Sequence, residues 1–294
     1  RLPERVISPP QILGHEFSGE VVRKGKEVRS LNEGDRVVVH PWGNCGECHF
    51  CRRGQENLCT NPFNIVTNPR TGAFAEYAIA KGKQVYKLPM NISLDIAALV
   101  EPTSIAVHAM DLSNIKPGFS VGILGGGMIG IRCLQLTQKM GASVIILSEP
   151  IKFRREIARQ LGADIVLDPN EDDVGETIRD VTDGLGVDTC IEAVGTQETC
   201  QQAMRLVKNG GTVLIVGFAP LDARISISPY EIYRKELTIR GSFWSPYAFE
   251  RSIQLIKRIE TKSLITHTFR LGEVEKALEV YKSKKCIKIL LQPF

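Results

Sequence analysis

A glycine-rich turn set between a strand and a helix constrains this chain more than any other feature. The apolar run 120–124 leads straight into Gly125, Gly127 and Gly130, spaced G-x-G-x-x-G, and an amphipathic stretch, 128–140, follows. In that setting Gly125 permits a tight turn, Gly127 lets the backbone approach a pyrophosphate, and Gly130 allows close helix–strand packing. The helix N-terminus then presents free N–H groups and a positive dipole end to the phosphates. A second apolar run leads to Glu149, nineteen residues after Gly130, where a ribose-binding acid is expected. A carboxylate there accepts hydrogen bonds from ribose hydroxyls and repels a 2′-phosphate, which favours NAD over NADP. Arg154, a helical turn further on, pulls the other way, because a guanidinium accommodates phosphate. The competing reading is a glycine turn with no ligand and an acid that merely closes a strand.

Around this turn the chain alternates. Strand-like runs recur at 120–124, 143–147, 164–167, 188–192, 212–217 and 236–241, with amphipathic stretches at 128–140, 153–161 and 199–207 between several of them. Such alternation predicts a parallel sheet with helices on both faces. Gly141, Gly162 and Gly210 stand just past helical patterns, where a C-cap calls for a left-handed residue. The stretch 12–89 has a different texture. Short apolar runs at 20–22, 36–39 and 76–79, separated by Gly, Pro and Asn, predict a β-rich, barrel-like domain. From about 247 onward two further helical stretches and a final run, 286–291, are expected. A chain of 294 residues is too long for one ordinary core and fits two domains. No apolar run approaches ~18 residues, which excludes a membrane-spanning helix. The net charge of +4 argues only weakly for anionic ligands, and no nucleic-acid partner is expected.

Four of the eight cysteines, Cys45, Cys48, Cys51 and Cys59, fall within fifteen residues at spacing C-x2-C-x2-C-x7-C. A secreted disulfide scaffold would be shorter and denser in cysteine. Four clustered thiols read better as a tetrahedral site for structural zinc. An iron–sulfur cluster uses the same ligands and is the alternative. The loop around them, 41–62, is rich in Gly, Asn and charge and cannot bury enough apolar surface to order itself. A structural zinc, worth roughly 10–16 kcal/mol in small domains, supplies that order. Cys133, Cys190, Cys200 and Cys286 are scattered singly, as small core residues are. Free thiols survive in a reducing compartment, so a cytoplasmic location is expected.

Two further fragments gain meaning only in this company. His15 and Glu16 stand in a turn feeding a strand. Glu101, followed by Pro102, lies in the otherwise apolar stretch 96–110, where a carboxylate is either buried and paired or facing a cleft. Other marks are the Gly-Asp-Arg-Val turn at 34–37, Gly-Ala-Phe-Ala-Glu-Tyr at 72–77, Ser-Glu-Pro at 148–150 and Ile-Thr-His at 265–267. With the cysteine lobe and the glycine turn, they make the chain resemble the zinc-containing medium-chain dehydrogenase/reductase superfamily over essentially its whole length. The branch it resembles is that of the sorbitol dehydrogenase-like, or polyol, dehydrogenases.

The resemblance implies an α/β fold. A Rossmann domain with a doubly wound parallel sheet would span 103–244, and a β-rich GroES-like catalytic domain with a structural zinc lobe would take 1–102 and 245–294. Two zinc sites are implied, a structural one at Cys45, Cys48, Cys51 and Cys59 and a catalytic one at His15, Glu16 and Glu101. Glu101 matches the carboxylate that either ligates the metal or holds its water. Gly125, Gly127, Met128, Ile129, Gly130, Glu149, Arg154, Val216, Gly217, Phe218, Ser242, Phe243 and Trp244 would line NAD. The implied reaction takes hydride from a secondary alcohol of a polyol or sugar to NAD, giving a ketose or keto-sugar. Alternatives are an L-threonine 3-dehydrogenase, a vicinal-diol (butanediol-type) dehydrogenase, or a non-catalytic Rossmann redox sensor with structural zinc alone. A homo-oligomer, dimer or tetramer, is implied as well. Two departures stand out. The family's first catalytic ligand is a Cys upstream of Gly14, with a Thr or Ser after it, yet no Cys stands among the fourteen residues before His15, and the chain opens on Arg1. An N-terminal segment is therefore expected to be missing. Trp244 stands where sorbitol dehydrogenases carry a substrate-contacting Arg, which puts sorbitol itself in question.

Overall fold

The computed structural model describes residues 11–65 and 71–293, so residues 1–10, on which the expectation of a missing ligand segment bears, lie outside it. The chain forms two compact units. One comprises the residues up to Ile105 with Trp244–Lys282 and Lys288–Phe294, the other Ala106–Phe243 with Ser283–Ile287.

In the first unit β1 (Ser18–Glu20), β2 (Arg36–Val39) and, further along, a third strand, Val85–Lys87, make an antiparallel sheet with β2 in the middle. The central strand carries three consecutive buried valines, Val37, Val38 and Val39. A continuous apolar run of this kind is what a strand covered on both faces requires. The pair β3 (Trp42–Gly43) and β4 (Phe63–Asn64) flanks the cysteine lobe, which contains the single turn α1 (His49–Arg52). After the third sheet strand, β5, come α2 (Leu94–Ala97), capped by the Ser93 hydroxyl, and α3 (Val100–Ser113). Pro102 falls in the first turn of α3, where no N–H is needed. The run expected at 20–22 forms its strand two residues earlier. The run at 76–79 is not a strand, and its Tyr77 and Ile79 are 65% and 81% exposed, so its alternation buries nothing.

The second unit alternates strand and helix as the pattern predicts: β6 (Ser120–Leu124), α4 (Met128–Lys139), β7 (Val144–Ser148), α5 (Lys152–Gln160), β8 (Ile165–Leu167), α6 (Val174–Asp180), β9 (Val187–Glu192), α7 (Gln197–Leu206), β10 (Val207–Ile215), α8 (Pro229–Lys235) and β11 (Thr238–Gly241). All six strands are parallel, in the order β11-β10-β9-β6-β7-β8. That is the doubly wound order, with its switch point between β6 and β9. Gly141 and Gly162 have positive φ just past α4 and α5, as C-caps. Gly210 does not cap a helix. It lies inside β10, where the register against β9 shifts between Val207 and Thr212, and its φ of +74° serves that irregularity. Arg179, Arg205 and Lys235 sit in the last turns of α6, α7 and α8, where they complement the negative dipole ends. No helix among the described residues is long and apolar enough to cross a membrane.

The remaining elements return to the first unit: α9 (Phe249–Leu255), β12 (Ile265–Arg270), α10 (Val274–Lys282) and β13 (Lys288–Gln292). The strands β12 and β13 pair in parallel, with Ile265 opposite Lys288.

One carboxylate ties three strands of the large sheet together. At the amino end of β9, Asp188 accepts from the N–H and hydroxyl of Ser120 on β6, both at 2.9 Å, and pairs with Lys208 on β10 at 2.5 Å. Burial pushes its carboxyl upward, but the Lys208 and Ser120 bonds outweigh that and hold it below the ordinary aspartate range. A group whose pKa is lowered by folding stabilises above its unfolded pKa and loses that contribution as pH falls through the folded one. Asp188→Ala should therefore cost about 1–3 kcal/mol in urea unfolding at pH 7. The gap from the parent chain should close as pH drops below about 4.

Candidate metal centres and dinucleotide cradle

The cysteine lobe brings its four thiols together. Sulfur–sulfur separations are 3.4 Å for Cys48–Cys51, 3.5 Å for Cys59–Cys45 and 3.9 Å for Cys45–Cys51. Zn–S bonds of about 2.3 Å in a tetrahedron place sulfurs about 3.8 Å apart, whereas a disulfide brings them to about 2 Å. All four are free thiols. The N–H groups of Cys45 and Cys48 point at sulfurs of the set, each at 3.4 Å. Backbone donors at Cys51 and Thr60 pull the Cys48 thiol down to about 5, while burial pushes Cys51 up to about 12. Four sulfurs this close cannot all shed protons against one another without a cation among them, so the cluster fits a thiolate-bound metal.

The second cluster is built by pinning two loops together. Leu13 and Gly14 accept backbone bonds from Phe74 and Ala73, and a Cβ on Gly72 would lie 1.9 Å from the carbonyl of Ile12. The close approach accounts for the glycines of both segments and fixes His15 and Glu16 just ahead of β1. Glu101 comes from the first turn of α3, where its own carbonyl accepts from the Ser104 hydroxyl at 2.6 Å. One ligand atom from each of His15, Glu16 and Glu101 lies within 4.8 Å of the others. Burial first, then the charge of Lys288, push His15 down to about 4, so its imidazole is neutral at pH 7 with a lone pair to give. Glu101 is 4% exposed, and burial raises its carboxyl to about 8. Among the described residues no donor reaches that carboxylate. One imidazole and two carboxylates fit a zinc ion, and a divalent ion would relieve the desolvation of Glu101.

Lys288 is the residue that sequence reasoning missed. It opens β13 and makes an ion pair with Glu16. A single lysine at the edge of a short apolar run reads as an exposed strand end, and no local pattern announces a contact 272 positions away.

In the second unit the cofactor candidates gather at the carboxyl ends of β6, β7, β10 and β11. Gly125 has φ of +103°, and a Cβ on Gly130 would lie 1.9 Å from the carbonyl of Gly125, so this turn tolerates no side chain there. Met128 and Ile129 open α4, whose N-cap, Gly127, leaves the first N–H groups without a side-chain cap. The Glu149 carboxylate accepts from the N–H groups of Gly126 at 2.7 Å and Ile151 at 2.9 Å. Each oxygen keeps a lone pair for a ribose hydroxyl. The Arg154 guanidinium lies 4.0 Å from Glu149 and binds the Cys286 carbonyl through Nε. Val216 and Gly217 donate to the carbonyl of Glu192, and Ser242 donates to that of Ile215. Phe218 and Phe243 are exposed. Trp244 belongs to the first unit instead, where it stacks on Trp42 with ring centres 4.4 Å apart and takes a left-handed φ of +57°.

The chain matches the family "Zinc-binding dehydrogenase" over residues 129–259 and "Alcohol dehydrogenase GroES-like domain" over residues 3–90. It is 32% identical to sorbitol dehydrogenase of Bacillus subtilis, over 100% of this chain and 84% of that protein. It is 37% identical to L-threonine 3-dehydrogenase of Pyrococcus abyssi, over 97% and 82%. A Sinorhizobium meliloti structure described as a zinc-binding dehydrogenase bound to NADP superposes with a TM-score of 0.91 at 38% identity, covering 97% of this chain and 84% of that one. Fold and comparisons together define a zinc-dependent, NAD(P)-linked alcohol dehydrogenase. The chain belongs to the zinc-containing medium-chain dehydrogenase/reductase superfamily, in its sorbitol dehydrogenase-like group.

Replacing Cys51 with Ser should remove one zinc equivalent per chain by elemental analysis. It should also lower stability by several kcal/mol, because metal binding is part of the lobe's folding free energy.

Proposed function

We propose that this dehydrogenase oxidises a secondary alcohol of a polyol or sugar to the ketone with NAD as acceptor, and that His15, Glu16 and Glu101 hold the catalytic zinc. The observation that carries this reading is the buried carboxylate of Glu101 meeting His15 and Glu16 within 4.8 Å. When bound, zinc supplies Lewis-acid stabilisation of the charge developing on the alcohol oxygen, worth several kcal/mol, and the nicotinamide supplies the hydride acceptor. The chain's own groups do the rest. His15 offers a neutral nitrogen. Glu16 and Glu101 bring carboxylate oxygens that both ligate and accept hydrogen bonds, which suits a substrate bearing neighbouring hydroxyls. The fingerprint turn and the N-terminus of α4 bind the pyrophosphate, and Glu149 accepts from the adenosine ribose.

Glu149 supports NAD as the preferred cofactor, and Arg154 beside it supports some tolerance of a 2′-phosphate. The eight free cysteines support a reducing, cytoplasmic setting. The exposed edge strand β11 supports a homo-oligomer formed by pairing of that edge. A threonine dehydrogenase is the second reading, favoured by the 37% identity to the Pyrococcus enzyme.

A panel of xylitol, sorbitol, 2,3-butanediol and L-threonine, followed by NADH formation, separates the readings. The polyols should give the highest kcat/KM, and L-threonine alone turning over would replace the polyol assignment. Glu101→Ala should lower kcat/KM by about 100-fold or more. Glu149→Ala should raise KM for NAD about tenfold, the worth of one charge-assisted hydrogen bond, and raise KM for NADP by less. An unaltered cofactor ratio would remove Glu149 from the ribose site.

A further inference from the structure

A cavity of about 550 Å3 opens at the amino-terminal edge of the large sheet, the end opposite the glycine-rich turn. The loop entering β9 forms part of it, and a Cβ on Gly186 in that loop would lie 2.6 Å from the carbonyl of Leu206 at the end of α7. Four cationic side chains line the cavity, Arg179 from α6, Arg205 from α7, Lys208 from β10 and Lys235 from α8, and among the described residues no acid lines it. Its apolar wall includes Leu185, which is 68% exposed. Lys208 is neutralised by Asp188. Arg179, Arg205 and Lys235 make no ion pair and no side-chain hydrogen bond among the described residues. Each complements the negative end of its own helix, but such an end amounts to only about half a charge. The concavity is therefore left positive. A helix-end role asks for one cation on each last turn and does not ask that all three line one cavity. Guanidinium groups fork onto phosphate oxygens through paired N–H donors, and the volume falls within the range of small-molecule pockets.

We propose that this cavity binds an oligophosphate, free or as the phosphate chain of a nucleotide, with Arg179, Arg205 and Lys235 on the phosphates. In a nucleotide the base lies against Leu185. The site is separate from the cofactor crevice. Strand β9 runs from this cavity to Glu192 at the opposite edge of the sheet, roughly 20 Å from the rise per residue of a strand, so occupancy displaces no NAD.

The test is isothermal titration calorimetry of the zinc-loaded chain saturated with NADH, which keeps the probes out of the cofactor crevice. Tripolyphosphate is the probe in one arm and ATP in the other. Both should fill one saturable site per chain, with affinity falling as salt is raised. ATP binding about tenfold tighter than tripolyphosphate would support a nucleotide as the ligand, and equal binding would support the free oligophosphate. Arg179→Ala and Arg205→Ala should each weaken binding about tenfold, which is what losing one charge-assisted hydrogen bond costs, and leave KM for NAD unchanged. Leu185→Asp alters an exposed residue, so the fold is spared, and it should weaken both probes by at least as much. Arg179→Lys should retain most of the affinity for tripolyphosphate. No saturable binding by the parent chain near physiological salt would overturn the proposal. So would binding that stays the same in the arginine and Leu185 variants.

Discussion

Carboxylates taken out of water set the terms for both units. Glu101, Glu149 and Glu192 are each less than 5% exposed, and a desolvated carboxylate is tolerated only when something compensates its charge. Glu149 has two N–H donors, and Glu192 has the N–H groups of Val194 and Gly195 with the Thr199 hydroxyl. Those two acids thereby hold the turns after β6 and β9 in shape. Glu101 has no such donors among the described residues, and one of its oxygens lies within 4.8 Å of ligand atoms of His15 and Glu16, where a divalent ion would compensate it. The same physical rule thus shapes the glycine-rich turn in one unit and the candidate metal site in the other.

Close backbone approach does the complementary work. Gly130 against Gly125 and Gly72 against Ile12 are contacts that no Cβ would permit. The first brings the start of α4 up to the fingerprint turn, and the second locks the His15–Glu16 segment in place. Charge then decides what each cradle accepts. An uncapped helix N-terminus favours phosphate, and an imidazole with two carboxylates favours a divalent cation.

Much of this was legible in the sequence because the relevant signals are local. The β6 turn and α4 carry their fingerprint within eleven residues, the cysteine lobe lies within fifteen, and the valines of β2 form one run. What stayed hidden was long-range or context-dependent. Lys288 reaches Glu16 only through the β12–β13 ladder. Gly210 looked like a helix cap because α7 runs into β10 without a turn, leaving the positive φ to an irregularity inside the strand. The run 76–79 alternates like a strand, yet its apolar side chains face solvent. The contact of the Trp244 ring with Trp42, 202 positions earlier, had no local signal either.

The central claim is that a divalent ion sits among the imidazole and the two carboxylates. Anomalous diffraction at the zinc edge, from crystals grown with zinc, tests it directly. The account predicts two peaks per chain, one amid the four sulfurs and one within bonding distance of His15, Glu16 and Glu101. A single peak at the sulfurs, or a second one remote from those three side chains, would contradict it.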